Sequence, residues 1–197
     1  MISKIKTNDP TIKILNLSNQ SALVKISKDE KIKIQAQLAE NVQHNSHIVE
    51  LNLENLDLDD AFAVSLAHSL MNNRVLEILN LNNNNISGIG AQAFANMLSV
   101  NSTLKELYMK NQDSKLGNEG EEAMLAIMEI NNTLTKVEID FSDASVKEWM
   151  EKRLSANLNR QSRNEEEDQS FDHSQFQFVL VSLFIYLFIY FIYYFFF

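Results

Sequence analysis

The chain repeats one short leucine pattern at a nearly fixed interval. Pairs of apolar residues, each separated by a single residue, end four copies of the pattern: Leu51 and Leu53, Leu79 and Leu81, Leu107 and Met109, and Val137 and Ile139. The first members of successive pairs lie 28, 28 and 30 residues apart. Leucine patterns with periods in the twenties are typical of solenoids in which every repeat supplies one strand and one helix.

The fullest copy, from Leu76 to Leu98, predicts both elements. Leu79 and Leu81 alternate with Asn80, which predicts a strand whose leucines point inward. Asn84 follows the strand, where its amide can bond backbone groups of the turn and of the neighbouring repeat. Helical spacing then relates four apolar residues: Ala91, Phe94, Ala95 and Leu98. We therefore predict an α/β leucine-rich-repeat solenoid, a short horseshoe with parallel strands on the concave side and helices on the convex side.

The two ends of the repeat region predict different boundaries. Residues 1–44 form an irregular N-terminal repeat or cap, because the candidate strand at Leu15 lies 36 residues before Leu51. Residues 45–160 form the leucine-rich-repeat domain, which ends in a closing helix capped by Ser142 or Asp143. An apolar stripe is predicted on this helix: Val146, Trp149, Met150, Leu154 and Leu158. Residues 161–175 form a polar linker.

Residues 176–197 have a different composition from the rest of the chain. Nine of the 12 Phe and four of the five Tyr lie at or beyond Phe171. A helix over residues 178–197 would span about 30 Å, the thickness of a bilayer's hydrocarbon core. Two interpretations stay open: a tail anchor that tethers a cytoplasmic domain to a membrane, or an artefact of a misread gene.

Charge and composition argue against several classes of function. The chain carries 17 basic and 26 acidic side chains, a net charge of −9, whereas a nucleic-acid surface needs clustered Lys and Arg. The sequence has no Cys and no nucleotide-binding, serine-hydrolase or zinc-protease motif. We predict a protein that is not an enzyme, without catalytic residues, cofactor or metal. Carboxylates on the concave face are predicted to line an interaction surface: Glu50, Glu106 and Glu138.

Several phrases of the sequence go beyond a general repeat pattern. They are Ser65 to Leu81, Asn84 to Gly90, Asn101 to Leu104, and Asn111-Gln112 followed by Leu116-Gly117-Asn118. In this order and spacing, they resemble the C-terminal leucine-rich-repeat domain of tropomodulins and leiomodins. The resemblance covers residues 45–160, and the loop with its two-residue insertion is the most specific part.

The resemblance implies actin binding and capping at the slow-growing, pointed end of filaments, in the cytoplasmic cytoskeleton. The contact residues that it implies are Asn111, Gln112, Ser114, Lys115 and Gly117 of the loop, and Lys147, Lys152 and Arg153 of the last helix. Tropomyosin binding stays open, because the family's N-terminal half with its tropomyosin-binding helices is missing. The alternative function is a generic leucine-rich-repeat interaction adaptor, which the tail could anchor to a membrane.

Overall fold

The computed structural model describes Ile5, residues 7–20 and residues 26–164. Within these residues, five strands and five helices alternate along the chain. The strands are β1 (Ile14–Asn16), β2 (Glu50–Asn52), β3 (Ile78–Asn80), β4 (Glu106–Met109) and β5 (Lys136–Ile139). The helices are α1 (Lys28–His44), α2 (Asp60–Leu70), α3 (Gly88–Leu98), α4 (Gly117–Met128) and α5 (residues 144–164).

The strands form one parallel sheet in chain order, from β1 to β5. One row of apolar residues crosses the sheet at the same register: Leu15, Leu51, Leu79, Leu107 and Val137. The leucines of this row are 0–3% exposed, and their strand neighbours lie on the open face. Full burial of one such leucine contributes about 1.5–3 kcal/mol, so the row is the main apolar spine of the fold. The predicted parallel repeat architecture is confirmed.

Helix starts are fixed by side chains that precede them. Ser27 and Glu30 form a capping box at α1, and Asp59 accepts a hydrogen bond from the Phe62 N–H at α2. Ser87 caps α3 in the same way. By contrast, α4 begins with Gly117 at a φ of 66° and has no side-chain cap, so its first turn depends on the loop before it.

Helices α3 and α4 approach each other through glycines. A Cβ added to Gly120 would lie 2.8 Å from the Cα of Gly88, and one added to Gly88 would lie 2.2 Å from the Leu116 carbonyl oxygen. Neither position has room for a side chain. The loop that precedes α4 is therefore held close to the start of α3.

A ladder of buried asparagines joins successive repeats where helices lead into strands. We call this set the asparagine ladder: Asn45, Asn73, Asn101, Asn131 and Asn157. Asn101 Nδ2 donates to the carbonyls of Leu70 and Asn73 at 2.7 and 3.0 Å. Its Oδ1 accepts from the N–H groups of Thr103 and Leu104 at 2.8 and 2.9 Å. The amides of Asn73, Asn101 and Asn131 each bond backbone groups of two repeats at once, which satisfies these buried polar groups.

The end of the repeat region differs in one residue from the prediction. Met150 and Leu154 are buried, but Leu158 is 52% exposed and does not belong to the apolar stripe. The inward position goes to Asn157, whose Nδ2 donates to the carbonyls of Asn131 and Leu134 at 3.0 and 2.9 Å. Spacings of four and three residues place Met150, Leu154 and Asn157 on one helical face.

The chain divides into two units, Met1–Asn157 and Leu158–Phe197. Of the second unit, the structure describes residues 158–164, which are helical. The predicted anchor or artefact at residues 176–197 and most of the predicted linker lie outside the described residues. Among the helices that the structure describes, none combines the length and apolar composition that crossing a bilayer requires.

Candidate partner-binding surface

Parallel strands put all strand-to-helix turns at one edge of the sheet. We call this the βα edge, formed by residues 53–59, 81–87, 110–116 and 140–143. The opposite αβ edge, formed by residues 45–49, 71–77, 99–105 and 129–135, carries the asparagine ladder. Five of the eight predicted contact residues lie in or next to the 110–116 turn. Lys147 lies in the first turn of α5, directly after residues 140–143 of the same edge.

Backbone geometry explains why an asparagine occupies position 111. Its φ is 55°, in the left-handed region, where Asn is tolerated better than other residues with a Cβ. Its N–H donates to Asp140 Oδ2 at 2.6 Å, which ties the loop to the end of β5. Asn55 and Asn83 hold positive φ at the equivalent turns of the two preceding repeats. The side chain of Asn111 is exposed.

Gln112 has an internal structural role. Its Oε1 accepts from the Ile86 N–H at 3.0 Å, and its Nε2 donates to the Leu81 and Lys110 carbonyls at 2.9 and 3.2 Å. One repeat earlier, Asn84 makes the matching bonds to the Leu58 N–H and the Leu53 carbonyl, at 3.1 Å each. Gln112 thus replaces the turn asparagine with a side chain longer by one methylene.

The turn at Leu56 has no asparagine of its own, and Asn84 supplies the hydrogen bonds that its backbone needs. The Oδ1 of Asn84 accepts from the Leu56 N–H at 3.0 Å, across the repeat boundary. The turns at Leu56 and Asn84 are therefore each supported by a side-chain amide of the following repeat. This cross-repeat bonding confirms the role predicted for Asn84 from its position after the strand.

The remaining loop residues differ in exposure. Ser114 Oγ donates to Asn85 Oδ1 at 2.7 Å and is partly buried, whereas Lys115 is exposed. Gly117 is exposed, and no atom lies within 4 Å of the position that a Cβ would occupy. The loop therefore presents a bare backbone at Gly117 and a cation at Lys115.

On α5, the lysines are exposed, whereas the arginine is hydrogen-bonded to the backbone of α4. Lys147 and Lys152 are exposed, and Lys147 pairs with Glu151 at 3.8 Å, a helix pair that contributes about 0.3–0.5 kcal/mol. Arg153 Nε and Nη2 donate to the Met128 carbonyl at 3.1 and 3.0 Å, and Nη2 also donates to the Glu129 carbonyl at 2.9 Å. Its guanidinium lies 5.9 Å from the Trp149 ring centroid.

Arg153 therefore caps the C-terminal end of α4, where carbonyl groups lack intrahelical partners and the helix dipole favours a cation. That position belongs to the αβ edge. The structure brings Lys147 to the edge that carries the loop, and places Arg153 towards the opposite edge.

The N-terminal end of α5 is capped by Asp143. Its Oδ1 accepts from the Ser145 Oγ and N–H, both at 2.7 Å. These hydrogen bonds, first from the Ser145 side chain and then from its backbone, lower the pKa of the Asp143 carboxyl below its ordinary value of 3.8. Asp143 is the cap, and the alternative cap Ser142 bonds elsewhere.

The three predicted concave carboxylates do not form one row. Glu50 and Glu106 align with Ile78 between them, but Glu106 aligns with Lys136 on β5. Glu138 aligns instead with Tyr108, because its position along the strand is two residues later. Glu50 and Glu106 precede the spine residue of their strands, whereas Glu138 follows Val137, and Lys136 takes the position before it. That these carboxylates line an interaction surface stays a prediction.

A mixed polar network occupies this part of the open face. Glu138 pairs with Lys110 at 3.5 Å and with Lys136 at 3.3 Å, and the Tyr108 hydroxyl donates to Glu106. Burial, followed by the bond to Glu106, raises the pKa of Tyr108. The hydrogen bond with Tyr108, followed by that with Glu138, raises the pKa of Lys136. Opposite charges neutralise one another here.

Sequence reasoning missed two carboxylates that join neighbouring helices. Glu121 on α4 is 7% exposed and accepts from the Ser142 N–H at 3.0 Å and the Ser142 Oγ at 2.9 Å. Asp60 on α2 accepts from the Ser87 N–H, the Ser87 Oγ and the Gly90 N–H at 2.8, 2.6 and 3.0 Å. The one available signal is a Ser before a helix together with an acid early in the helix before it.

Within the residues that the structure describes, no group of three or more His, Cys, Asp or Glu side chains is arranged to hold a metal ion.

Comparison with known proteins gives one family and two informative structures. The family model described as TMOD/LMOD leucine-rich domain matches residues 1–160. The solved structure of leiomodin-1 actin-binding site 2 is 28% identical, with a TM-score of 0.78, over 85% of this chain and 93% of that one. The Caenorhabditis elegans tropomodulin C-terminal domain is 21% identical, with a TM-score of 0.69, over 83% of this chain and 95% of that one. No curated protein sequence matches the chain.

Proposed function

Because this chain belongs to the TMOD/LMOD leucine-rich-domain family, we propose that its repeat region is a non-catalytic actin-binding domain. The observation that carries the proposal is its 28% identity to leiomodin-1 actin-binding site 2, with 93% of that domain covered. The finer proposal is that it binds at filament pointed ends in the cytoplasmic cytoskeleton and blocks subunit addition and loss sterically.

We assign the eight predicted contact residues two different roles. Six are proposed to touch the partner, through exposed backbone or side chains: Asn111, Ser114, Lys115, Gly117, Lys147 and Lys152. Gln112 and Arg153 are proposed to act indirectly, because their polar atoms already bond backbone groups of neighbouring repeats. A side chain whose hydrogen bonds go to backbone groups of neighbouring repeats shapes the surface rather than contacting the partner. Ser114 differs, because its hydroxyl donates to the Asn85 side chain and keeps its oxygen as an acceptor.

Six residues are too few for a stable interface. A standard protein interface uses about 20–30 residues a side and buries about 800 Å² of each partner. The additional contacts are proposed to come from exposed residues beside these six, such as Asp113 in the same turn and Asn118 at the start of α4. The βα edge has repeated, rigid turns, so it can present a pre-formed surface with little ordering cost on binding.

Co-sedimentation with filamentous actin tests the proposal. We expect the wild-type chain to bind, and the triple variant Lys115→Ala, Lys147→Ala, Lys152→Ala to bind roughly tenfold more weakly, because three cations at the interface are lost. The matched control removes three exposed lysines from the N-terminal end: Lys13, Lys28 and Lys33. It changes the net charge equally, so it controls for non-specific electrostatics.

Two outcomes would contradict parts of the proposal. Absence of wild-type binding up to roughly 50 µM actin would rule out a functional affinity. Equal weakening by the two triple variants would show that charge alone, and not the βα edge, decides binding. Pyrene-actin elongation from filaments with blocked barbed ends tests capping separately: binding without slower pointed-end growth would leave an actin-binding domain that does not cap.

A further inference from the structure

The proposed contact surface consists of two segments far apart in sequence. One is the loop with Lys115 and Gly117, which leads into α4, and the other is the first turn of α5 with Lys147. A partner that touches both needs them at a fixed separation, because a binding site must hold its groups within about 0.5 Å of the productive geometry.

Two bridges fix that separation in the structure. The Asn111 N–H donates to Asp140 at 2.6 Å, which links the loop to the chain before α5. The Glu121 carboxylate accepts hydrogen bonds from the Ser142 N–H and hydroxyl at 3.0 and 2.9 Å, which links α4, one turn after its start, to the residue before the α5 cap. Asp140 is exposed, whereas Glu121 is 7% exposed.

We propose that Glu121 is a positioning residue, which sets the first turn of α5 against the loop and thereby completes the actin-contacting surface. This inference rests on the proposed function. Glu121 lies one helical turn, about 6 Å, after Gly117, and Lys147 lies one turn after Asp143. The Glu121–Ser142 contact therefore connects α4, one turn after Gly117, with the residue before the cap of α5.

The Glu121 side of this bridge is buried, whereas both residues of the Asn111–Asp140 bridge are exposed. A buried carboxylate accepts charge-assisted hydrogen bonds that water screens less than it screens exposed ones. Loss of the carboxylate removes the two hydrogen bonds that hold Ser142 to α4, so the start of α5 is free to move away from α4.

The same chain contains a matched control for the stability of this bridge. Asp60 on α2 accepts two hydrogen bonds from Ser87, the cap of α3, at 2.8 and 2.6 Å, and a third from the Gly90 N–H at 3.0 Å. This pair lies two repeats earlier, where no predicted contact residue lies. Asp60→Ala should therefore lower thermal stability as Glu121→Ala does, but leave the proposed contact surface intact.

The experiment compares Glu121→Ala, Ser142→Ala, their double variant and Asp60→Ala in the full chain. We expect Glu121→Ala to weaken actin binding about tenfold and Asp60→Ala to change it less than about twofold. The double variant should bind no more weakly than Glu121→Ala alone, because both changes break one contact. Glu121→Gln keeps an acceptor for the Ser142 N–H and should give an intermediate loss.

Trp149 supplies a second readout that does not depend on actin. It is the single Trp of the chain, lies on α5 and is partly buried. A shift of α5 should move its fluorescence emission to longer wavelength in Glu121→Ala and not in Asp60→Ala. If Glu121→Ala does not fold, Ser142→Ala and Glu121→Gln carry the same comparison with milder changes.

The outcomes separate the two proposals. A wild-type chain that does not bind actin overturns the proposed function. A wild-type chain that binds, together with a Glu121→Ala variant that binds as well as Asp60→Ala, overturns the positioning role alone. Weaker binding with unchanged Trp149 emission also overturns it, because Glu121 would then act without moving α5.

Discussion

The two edges of the sheet differ in the side chains that hydrogen-bond their backbone groups. At the αβ edge, one residue type, Asn, recurs in the ladder from Asn45 to Asn157 and is 3–7% exposed throughout. At the βα edge, the equivalent turn position holds Leu56, then Asn84, then Gln112. The first edge is uniform and buried, and the second varies from repeat to repeat and carries exposed groups.

This difference indicates which edge can carry partner-binding residues without loss of stability. An amide that bonds backbone groups of two repeats cannot be exchanged without loss of stability, so the αβ edge has little freedom for a partner-binding sequence. The βα edge keeps its backbone geometry through positive-φ residues such as Asn83 and Asn111, whose side chains stay outside. That geometry leaves the outer side chains available for binding.

Asn101→Ala is expected to give the largest effect, a loss of about 3 kcal/mol in the free energy of unfolding, because two carbonyls and two N–H groups lose their partner. Urea unfolding followed by circular dichroism measures it. Asn83→Ala at the βα edge is the control, with an expected loss of about 1 kcal/mol. Equal losses at the two sites would erase the distinction between the edges.

Arg153→Ala is expected to cost about 2 kcal/mol of unfolding free energy, because the last carbonyls of α4 lose charge-assisted hydrogen bonds. The adjacent Lys152→Ala should change stability by less than about 0.5 kcal/mol. The same unfolding measurement compares them. If Lys152→Ala proves the more destabilising of the two, Arg153 does not hold α5 to the αβ edge.

Asn111→Ala should cost about 1 kcal/mol, since alanine is disfavoured at positive φ, while Asn111→Gly should be close to neutral. Thermal unfolding of both variants tests this. The pair also sharpens the proposed binding role: an actin affinity lost in both variants indicates contact by the Asn side chain. Retention of affinity in Asn111→Gly alone indicates that only the turn geometry matters.

Asp143→Asn should give the smallest effect, seen as a change in the pH dependence of stability. The folded pKa of Asp143 lies below 3.8, so its ionised cap stabilises the fold above that value and is lost as pH falls through the folded pKa. The melting temperature of Asp143→Asn should therefore be lower than wild type at pH 7, and the gap should narrow near pH 3. A constant gap across this range would contradict an ionised cap.

Local sequence patterns were sufficient to predict much of the fold. The 28-residue steps predict which residues share the apolar spine, because a strand with alternating burial leaves its leucines only one side on which to pack. The asparagine ladder carried an equally readable signal, since Asn45, Asn73, Asn101 and Asn131 recur at steps of 28, 28 and 30 residues. The positions of the strand leucines alone do not predict this ladder.

The proposed site was less predictable. The sequence resemblance indicated the loop and the last helix, but could not separate Gln112 and Arg153, which bond the backbone internally, from Lys115 and Lys152, which are exposed. Nor did it indicate that Glu121 meets Ser142. Whether a polar group is used internally depends on the acceptors that the neighbouring repeat places beside it.

The amino-acid sequence by itself thus determined the repeat, the spine and the parallel order of strands, because these follow from short-range periodicity. Only the tertiary structure decided which polar side chains join repeats and which face outward. The physical reason is that contacts such as Glu121 with Ser142, or Asp60 with Ser87, depend on the stacking distance and rotation of helices that are 20 or more residues apart.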